Sequence, residues 1–376
     1  MEIIRRIRYA RAERFGHPVP ERELSYSPVG ICPQRESHLG GINGPDSPSS
    51  PFTEDCLHLS IFTPARSGKA PVMVWLCGGA FIKGSGEFKR YDASALCSDE
   101  GIVVVNVSYR VGVAGFLYQP GRDAVNLGIE DQICALEWVR EHISEYGGDP
   151  DRICVCGQSA GAYSIASIIG RGRADLFSSA ILFSAPLLFK PKPSAGNRIR
   201  NIFFTELGKI CRQGKTALDC SMEEMLQAQE ATVRLSRAAV RLSRAAVPFC
   251  PIGEKFFTPG TPLPKRILIT TQKDDARPFV PLRILTGPAT AAIFSRPADR
   301  YARLLQNEGC DAVRKVFDWF PKGNRCGACH TLDIPFLFGD WECWKPASML
   351  DGLAEEEFTR HAKEFRKSIS AFVKGL

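Results

Sequence analysis

The chain has 376 residues, 44% of them hydrophobic, with 48 basic against 41 acidic side chains and a net charge of +7 with histidine neutral. That composition excludes a disordered chain and supplies a sizeable apolar core. Arg234, Arg237, Arg241 and Arg244 take much of the basic excess in one window without an acid, so no spread basic face for nucleic acid is expected.

No apolar run of about 18 residues predicts a membrane span. The opening MEIIRRIRYARAERF puts cations where an export signal needs an apolar stretch, so a cytoplasmic protein is the expectation. Fourteen cysteines in this length are too few for a disulfide-built scaffold, and most are expected to be buried thiols. Cys32 with Cys56, and Cys211 with Cys220, lie in loop-like sequence at short separation and are the two pairs that could be bonded.

In chain order, residues 39–53 (LGGINGPDSPSSPFT) carry turn formers at nearly every position and predict a surface loop. PVMVWLC (71–77) and GIVVVNVSY (101–109) are short apolar runs with the pattern of buried strands, joined across the glycine-rich GGAFIKGSGEF. From Gly128 to Tyr146, Ile129, Ile133, Leu136, Val139 and Ile143 recur at helical spacing, which predicts one amphipathic helix stopped by GGDP at 147–150. RICVC (152–156) then reads as a strand, Ala160 to Ile169 as a helix and SAILFSA (179–185) as a strand. The alternation predicts an α/β fold, a mostly parallel sheet covered by helices.

After Pro186 the rhythm breaks, and the Pro-rich, helical stretch 187–265 reads as an excursion over the active site within a single domain spanning 1–376. Inside it VRLSRAA occurs twice in tandem, at 233–239 and 240–246, which predicts one helix with a solvated arginine face. RILIT (266–270) and AVRKVFDWF return to the sheet. Phe358, Ala362, Phe365, Ile369 and Phe372 predict a docked final helix.

The chemistry centres on residues 157–161, Gly-Gln-Ser-Ala-Gly, a G-x-S-x-G directly after a strand and directly before a helix. In that context Ser159 sits on a tight turn that only flanking glycines allow, its hydroxyl raised into the cleft at a helix N-terminus. A serine nucleophile needs a base, and elbow folds deliver serine, acid and histidine in that chain order. Only His330 and His361 follow Ser159. His361 lies beside the apolar stripe of the last helix, whereas His330 lies in a glycine-flanked loop after a strand, so His330 is read as the base. Asp274 and Asp275 follow the RILITT strand, at the strand end where such sheets place functional groups, and Asp318 beside VFDWF is a further acid. Cys77-Gly78-Gly79-Ala80-Phe81 leaves a strand as a glycine-rich loop able to offer backbone N–H donors to an oxyanion.

These residues, with IRYARAERFGHPVP, EDCLHLSIFTP, PVMVWLCGGAFIKGSG, VVVNVSYRVGVAGFL, NLGIEDQICALEWVREHISEYGGDPDRICVCGQSAGAYS, ILITTQKDDARPF and GACHTLDIPFLFG, resemble the type B carboxylesterases, the α/β-hydrolase family that contains the cholinesterases. The resemblance covers most of the chain outside 187–265. It implies that Ser159 is the nucleophile, His330 the base and Asp275 the acid, with Gly79, Ala80 and Ala160 supplying the oxyanion N–H groups. It also implies a Cys32–Cys56 disulfide, and structural ion pairs Arg14 with Glu54 and Arg110 with Asp131. The implied activity is hydrolysis of carboxylic esters through an acyl-enzyme, on small-molecule substrates, with no cofactor or metal.

Three features depart from the family pattern. Cys77 stands where a histidine usually opens the oxyanion loop. Asp275 is one methylene shorter than the usual glutamate, so His330 must come closer or the acid loop must move inward. The intervals from nucleophile to acid and from acid to histidine, 275 − 159 = 116 and 330 − 275 = 55 residues, are compressed, which predicts a shallow cleft and preference for short acyl groups. The alternative is a non-catalytic binding or adhesion member of the fold, whose signature would be loss of a triad residue. CGACH (326–330) also has the C-x-x-C-H spacing of haem attachment, and Cys343 nearby would suit zinc, but His330 is required as the base. Asn106 opens an N-x-S sequon inside a predicted buried strand and is expected to carry nothing.

Overall fold

The computed structural model describes all residues except 22–28, 37–39, 122–125, 212–214 and 240–247. Eight strands form the central sheet: β1 (Glu2–Arg8), β2 (His58–Thr63), β3 (Ala70–Leu76), β4 (Val103–Val107), β5 (Gly148–Gln158), β6 (Ser179–Phe183), β7 (Arg266–Gln272) and β8 (Asp311–Phe317). Their spatial order is β1-β2-β4-β3-β5-β6-β7-β8. β1 and β2 pair antiparallel, as do β2 and β4, and every other neighbour is parallel. The expected mostly parallel sheet is therefore present. The strands β3, β4 and β5 are buried on both faces, which is why they read as near-continuous apolar runs and not as alternating ones.

The longer helices are α1 (Leu127–His142), α2 (Ala160–Gly170), α3 (Pro193–Ile210), α4 (Met222–Ala239), α5 (Arg296–Asn307) and α6 (Glu355–Lys374). α1 ends earlier than the periodicity predicts: a 3-10 turn covers Ile143–Tyr146, and Gly147, at φ 77°, reverses the chain. GGDP does not lie outside the sheet, because Gly148 already pairs with Ala70. Asn106 is buried, its Nδ2 donating to the carbonyls of Tyr91 at 2.7 Å and Gly86 at 3.3 Å. Among the described residues no helix is long and apolar enough to cross a membrane.

The 187–265 stretch contributes α3 and α4, which pack on one another and are joined by the Cys211–Cys220 disulfide. Arg14 braces their connection, donating to the carbonyls of Ala217 at 2.9 Å and Cys220 at 2.6 Å while pairing with Glu54 at 2.5 Å. Gln229 of α4 accepts the Val113 N–H at 2.7 Å, and Gly112 in turn donates to the Phe81 carbonyl at 2.6 Å. The excursion is thus hydrogen-bonded to the flank of the glycine-rich loop. Arg234 and Leu235 of the first VRLSRAA copy are exposed, whereas the second copy, with Arg241 and Arg244, lies outside the described residues.

The disulfide implied for Cys32 and Cys56 is a correction. Both are buried free thiols. They touch one another, and Cys32 Sγ is held by Val111, accepting its N–H at 3.4 Å and facing its carbonyl at 3.9 Å. Each sulfur is satisfied as a hydrogen-bonded thiol, with the neighbouring Cys32 thiol and then burial pushing the Cys56 thiol well up.

Candidate active site

The carboxyl ends of β3, β5, β7 and β8 meet at one edge of the sheet, and the segments that leave them carry the residues singled out from the sequence. Ser159 stands between β5 and α2 with φ 53° and ψ −113°, a left-handed backbone that an L-residue holds only under constraint. The constraint is visible: its N–H donates to the Phe183 carbonyl at 2.8 Å, and its carbonyl receives the Tyr163 N–H at 2.9 Å as α2 begins. The flanking glycines are required. A Cβ on Gly157 would lie 2.7 Å from the Gly161 carbonyl carbon, and one on Gly161 would lie 2.0 Å from the Leu76 oxygen.

His330 Nδ1 lies 2.6 Å from Asp275 Oδ1, with both side chains buried. The other carboxylate oxygen, Oδ2, accepts from Ser184 Oγ at 2.8 Å and from the Gln272 N–H at 2.9 Å. Three donors fix this carboxylate as an acceptor, so Nδ1 carries the proton and Nε2 offers a lone pair. Phe279 and Phe294 stand against the imidazole, each with its ring centroid 5.2 Å from it.

Asp274 takes a different part. Its N–H donates to the Ala328 carbonyl at 2.9 Å and its Oδ2 accepts the Ala328 N–H at 3.1 Å. This pair of hydrogen bonds ties the His330 loop to the loop that carries Asp275. Asp318 is exposed. His361 packs on Trp319, their rings 4.2 Å apart.

Sequence reasoning missed Gln158. Its Nε2 lies 3.0 Å from His330 Nε2 and 3.1 Å from Thr331 Oγ1, so the amide donates to the lone pair that a serine proton would seek. Among the described residues no hydrogen bond joins Ser159 Oγ to His330. The only signal was position, the x immediately before the nucleophile, and nothing in a single sequence says where that side chain turns.

The glycine-rich loop after β3 has Gly79 at φ 132°, Ala80 at φ 55° and Phe81 at φ 62°. The Gly79 and Ala80 N–H groups donate to no acceptor among the described residues, and the Ala160 N–H opens α2, where no intrahelical acceptor exists. A Cβ on Gly78 would sit 3.3 Å from the Ser159 Cβ, so the loop lies against the serine. Cys77 is buried and its thiol is pushed up to about 12 by that burial. Anchoring comes from other residues: Tyr109 Oη donates to the Cys77 carbonyl at 2.7 Å, Gln34 bonds the Gly84 N–H at 2.7 Å and carbonyl at 3.1 Å, and Lys83 pairs with Asp46 at 2.9 Å.

Known proteins resemble the chain over most of its length. Residues 5–290 match the family model described as the carboxylesterase family. Over 98% of its length the chain is 36% identical to a probable N-octanoylanthranilate hydrolase from Rhodococcus erythropolis, covering 87% of it. Over 95% it is 30% identical to a para-nitrobenzyl esterase from Bacillus subtilis (strain 168), covering 81% of it. Among solved structures a thermophilic PNB esterase superposes with a TM-score of 0.81 at 27% identity, over 99% of this chain and 87% of that one.

Proposed function

The chain belongs to the carboxylesterase family and is a carboxylic ester hydrolase of the α/β-hydrolase fold, and on that premise we propose that it works by a Ser159–His330–Asp275 triad through an acyl-enzyme. The observation that carries the reading is the 2.6 Å pairing of His330 Nδ1 with Asp275, with Nε2 turned to Gln158, the residue immediately before Ser159. As an ester enters, the serine hydroxyl replaces the Gln158 amide at Nε2 and passes its proton there. The freed Oγ attacks the acyl carbon, and the oxyanion moves into reach of the Gly79, Ala80 and Ala160 N–H groups. Losing one such donor costs about 2.7–4 kcal/mol of transition-state stabilisation in enzymes of this type. The imidazolium, held by Asp275, then gives its proton to the departing alcohol. Water repeats the sequence on the acyl-enzyme.

The substrate reading is a soluble ester with a short acyl group. Ala80 is exposed and Ser159 half-exposed, so an acyl chain leaving the oxyanion loop meets solvent early. The Phe279 and Phe294 rings give apolar contact beside the imidazole. Each buried CH₂ is worth about 0.8 kcal/mol, so selectivity should stop rising once the chain outgrows that contact.

Hydrolysis of p-nitrophenyl acetate, butyrate and octanoate, with N-octanoylanthranilate as an amide substrate, tests both parts. We expect kcat/KM to level off after butyrate, and Ser159→Ala and Asp275→Asn to remove nearly all turnover, the latter by around ten-thousand-fold as in the trypsin precedent. Retained turnover in Ser159→Ala would refute the triad. A steady climb to octanoate, or the amide as best substrate, would refute the short-acyl reading alone.

A further inference from the structure

The C-x-x-C immediately before His330 takes no part in the chemistry above. Cys326 and Cys329 are both free, and they lie in one turn close enough for each thiol to shift the titration of the other. Cys326 is half-exposed and Cys329 is buried beneath it, the arrangement of an attacking and a resolving thiol. The turn between them is tightly formed. The Cys326 N–H donates to Asn324 Oδ1 at 2.7 Å, Gly327 takes φ 63°, and the Cys329 N–H returns to the Gly327 carbonyl at 2.8 Å. The surroundings favour a thiolate at Cys326: the Cys329 thiol and Ser348 hydroxyl donate to it and Arg277 faces it, together drawing it down to about 6, against burial and Asp351, which push it up. Cys326, then burial and Asp275, push the Cys329 thiol the other way.

We propose that Cys326 and Cys329 form a reversible dithiol–disulfide site, oxidised by hydroperoxides, that lowers turnover by displacing His330. The regulatory half rests on the assignment of His330 as the base; the bonding half does not. In the first step the Cys326 thiolate attacks one oxygen of the hydroperoxide. An S–O bond forms, the O–O bond breaks, and the alkoxide or hydroxide leaves with a proton from solvent. Sulfur is oxidised by two electrons to the sulfenic acid. In the second step the Cys329 sulfur attacks that sulfenic sulfur, an S–S bond forms, and the hydroxyl departs as water with the Cys329 proton. Dithiothreitol reverses the bond and is itself oxidised to its cyclic disulfide.

The consequence follows from where Cys329 sits. A disulfide fixes the sulfurs at about 2.05 Å and the Cβ atoms at about 3.8 Å, a constraint that the free thiols do not place on the turn carrying Cys329. Cys329 is bonded in sequence to His330 and bridges Asp274 across the two loops. The Nδ1–Asp275 contact has no slack at 2.6 Å, and a misplacement of about 1 Å at a catalytic group costs on the order of a hundredfold.

The test titrates the full chain with cumene hydroperoxide and follows p-nitrophenyl acetate turnover and the Cys326–Arg360 tryptic peptide, which Pro346 protects from cleavage after Lys345, in parallel. That peptide also contains Cys343, so fragment ions must place the bond between Cys326 and Cys329. We expect the peptide to lose two hydrogens as kcat falls by at least about tenfold with KM little changed, both restored by dithiothreitol. Cys326→Ser should keep its activity under oxidant, and Cys329→Ser should hold a sulfenate that dimedone labels. A peptide that stays dithiol while turnover is lost, a bond that forms without loss of turnover, or equal sensitivity in Cys326→Ser would each overturn the proposal. An untreated enzyme whose esterase activity survives Ser159→Ala would instead overturn the triad, and would leave the mass of the peptide to decide the bond.

Discussion

At the scale of single residues, the site is a competition for one lone pair. Nε2 of His330 is the only ring nitrogen free to accept, because Nδ1 is committed to Asp275. Gln158 meets it with a neutral amide donor. A carboxylate in the same place would stabilise the imidazolium, since an opposite charge within about 4–6 Å favours the charged form. Gln158→Glu should therefore move the acidic limb of the kcat/KM profile to higher pH by about one unit, with turnover at high pH nearly preserved. A profile measured on p-nitrophenyl acetate checks this, and an unmoved limb would mean that residue 158 does not face the ring in solution. None of this was legible beforehand. Ser159, His330 and the oxyanion glycines were marked by type, order and spacing, whereas Gln158 matters through the rotamer of one side chain, and Asp274 through a loop-to-loop contact 54 residues apart in sequence.

At the scale of elements, what the sequence made legible were segments buried on both faces or strictly periodic. PVMVWLC, RICVC and SAILFSA became β3, β5 and β6 within a few residues. β1 escaped notice for a physical reason: a bulge between Ile4 and Ile7, with Arg6 at φ 60°, breaks the period-two pattern that would have announced it. The oxyanion loop was legible as a glycine run, but its support was not. The support comes from Gln34, a side chain 50 residues away that reads both the N–H and the carbonyl of Gly84. Gln34→Ala should leave Gly84 without these partners and loosen the donors it holds in place, lowering kcat by about tenfold or more with a smaller change in KM. Steady-state kinetics decides it, and equal loss in Gln34→Ala and Cys77→Ala would show that the buried thiol is the anchor instead.

At the scale of the whole molecule, the charges that join distant segments are scaffold. Arg110 links the N-terminal region, through the Gly16 carbonyl at 2.7 Å, to Asp131 on α1 at 2.6 Å, with both partners of the ion pair buried. Asp333 is the opposite case. It follows His330 by one turn and is buried without a well-formed hydrogen bond to either carboxyl oxygen, and burial, reinforced by the negative charge of Asp275, pushes it up to about 8. At neutral pH it is therefore mainly protonated, and Asp275 is the carboxylate that faces His330. In the unfolded chain Asp333 would ionise near the ordinary aspartate value of about 3.9. Between that value and about 8 the folded state holds a proton that the unfolded state has released, so stability must fall as pH rises through this window, by up to about 1.4 kcal/mol per pH unit, and level off above it. Asp333→Asn keeps the shape and removes the proton exchange. Urea titrations at a series of pH values from 4 to 9 should show wild type losing stability relative to Asp333→Asn across the window, with the difference constant above about pH 8. Parallel curves for the two proteins would mean that Asp333 titrates alike folded and unfolded, and that water reaches the carboxyl behind His330.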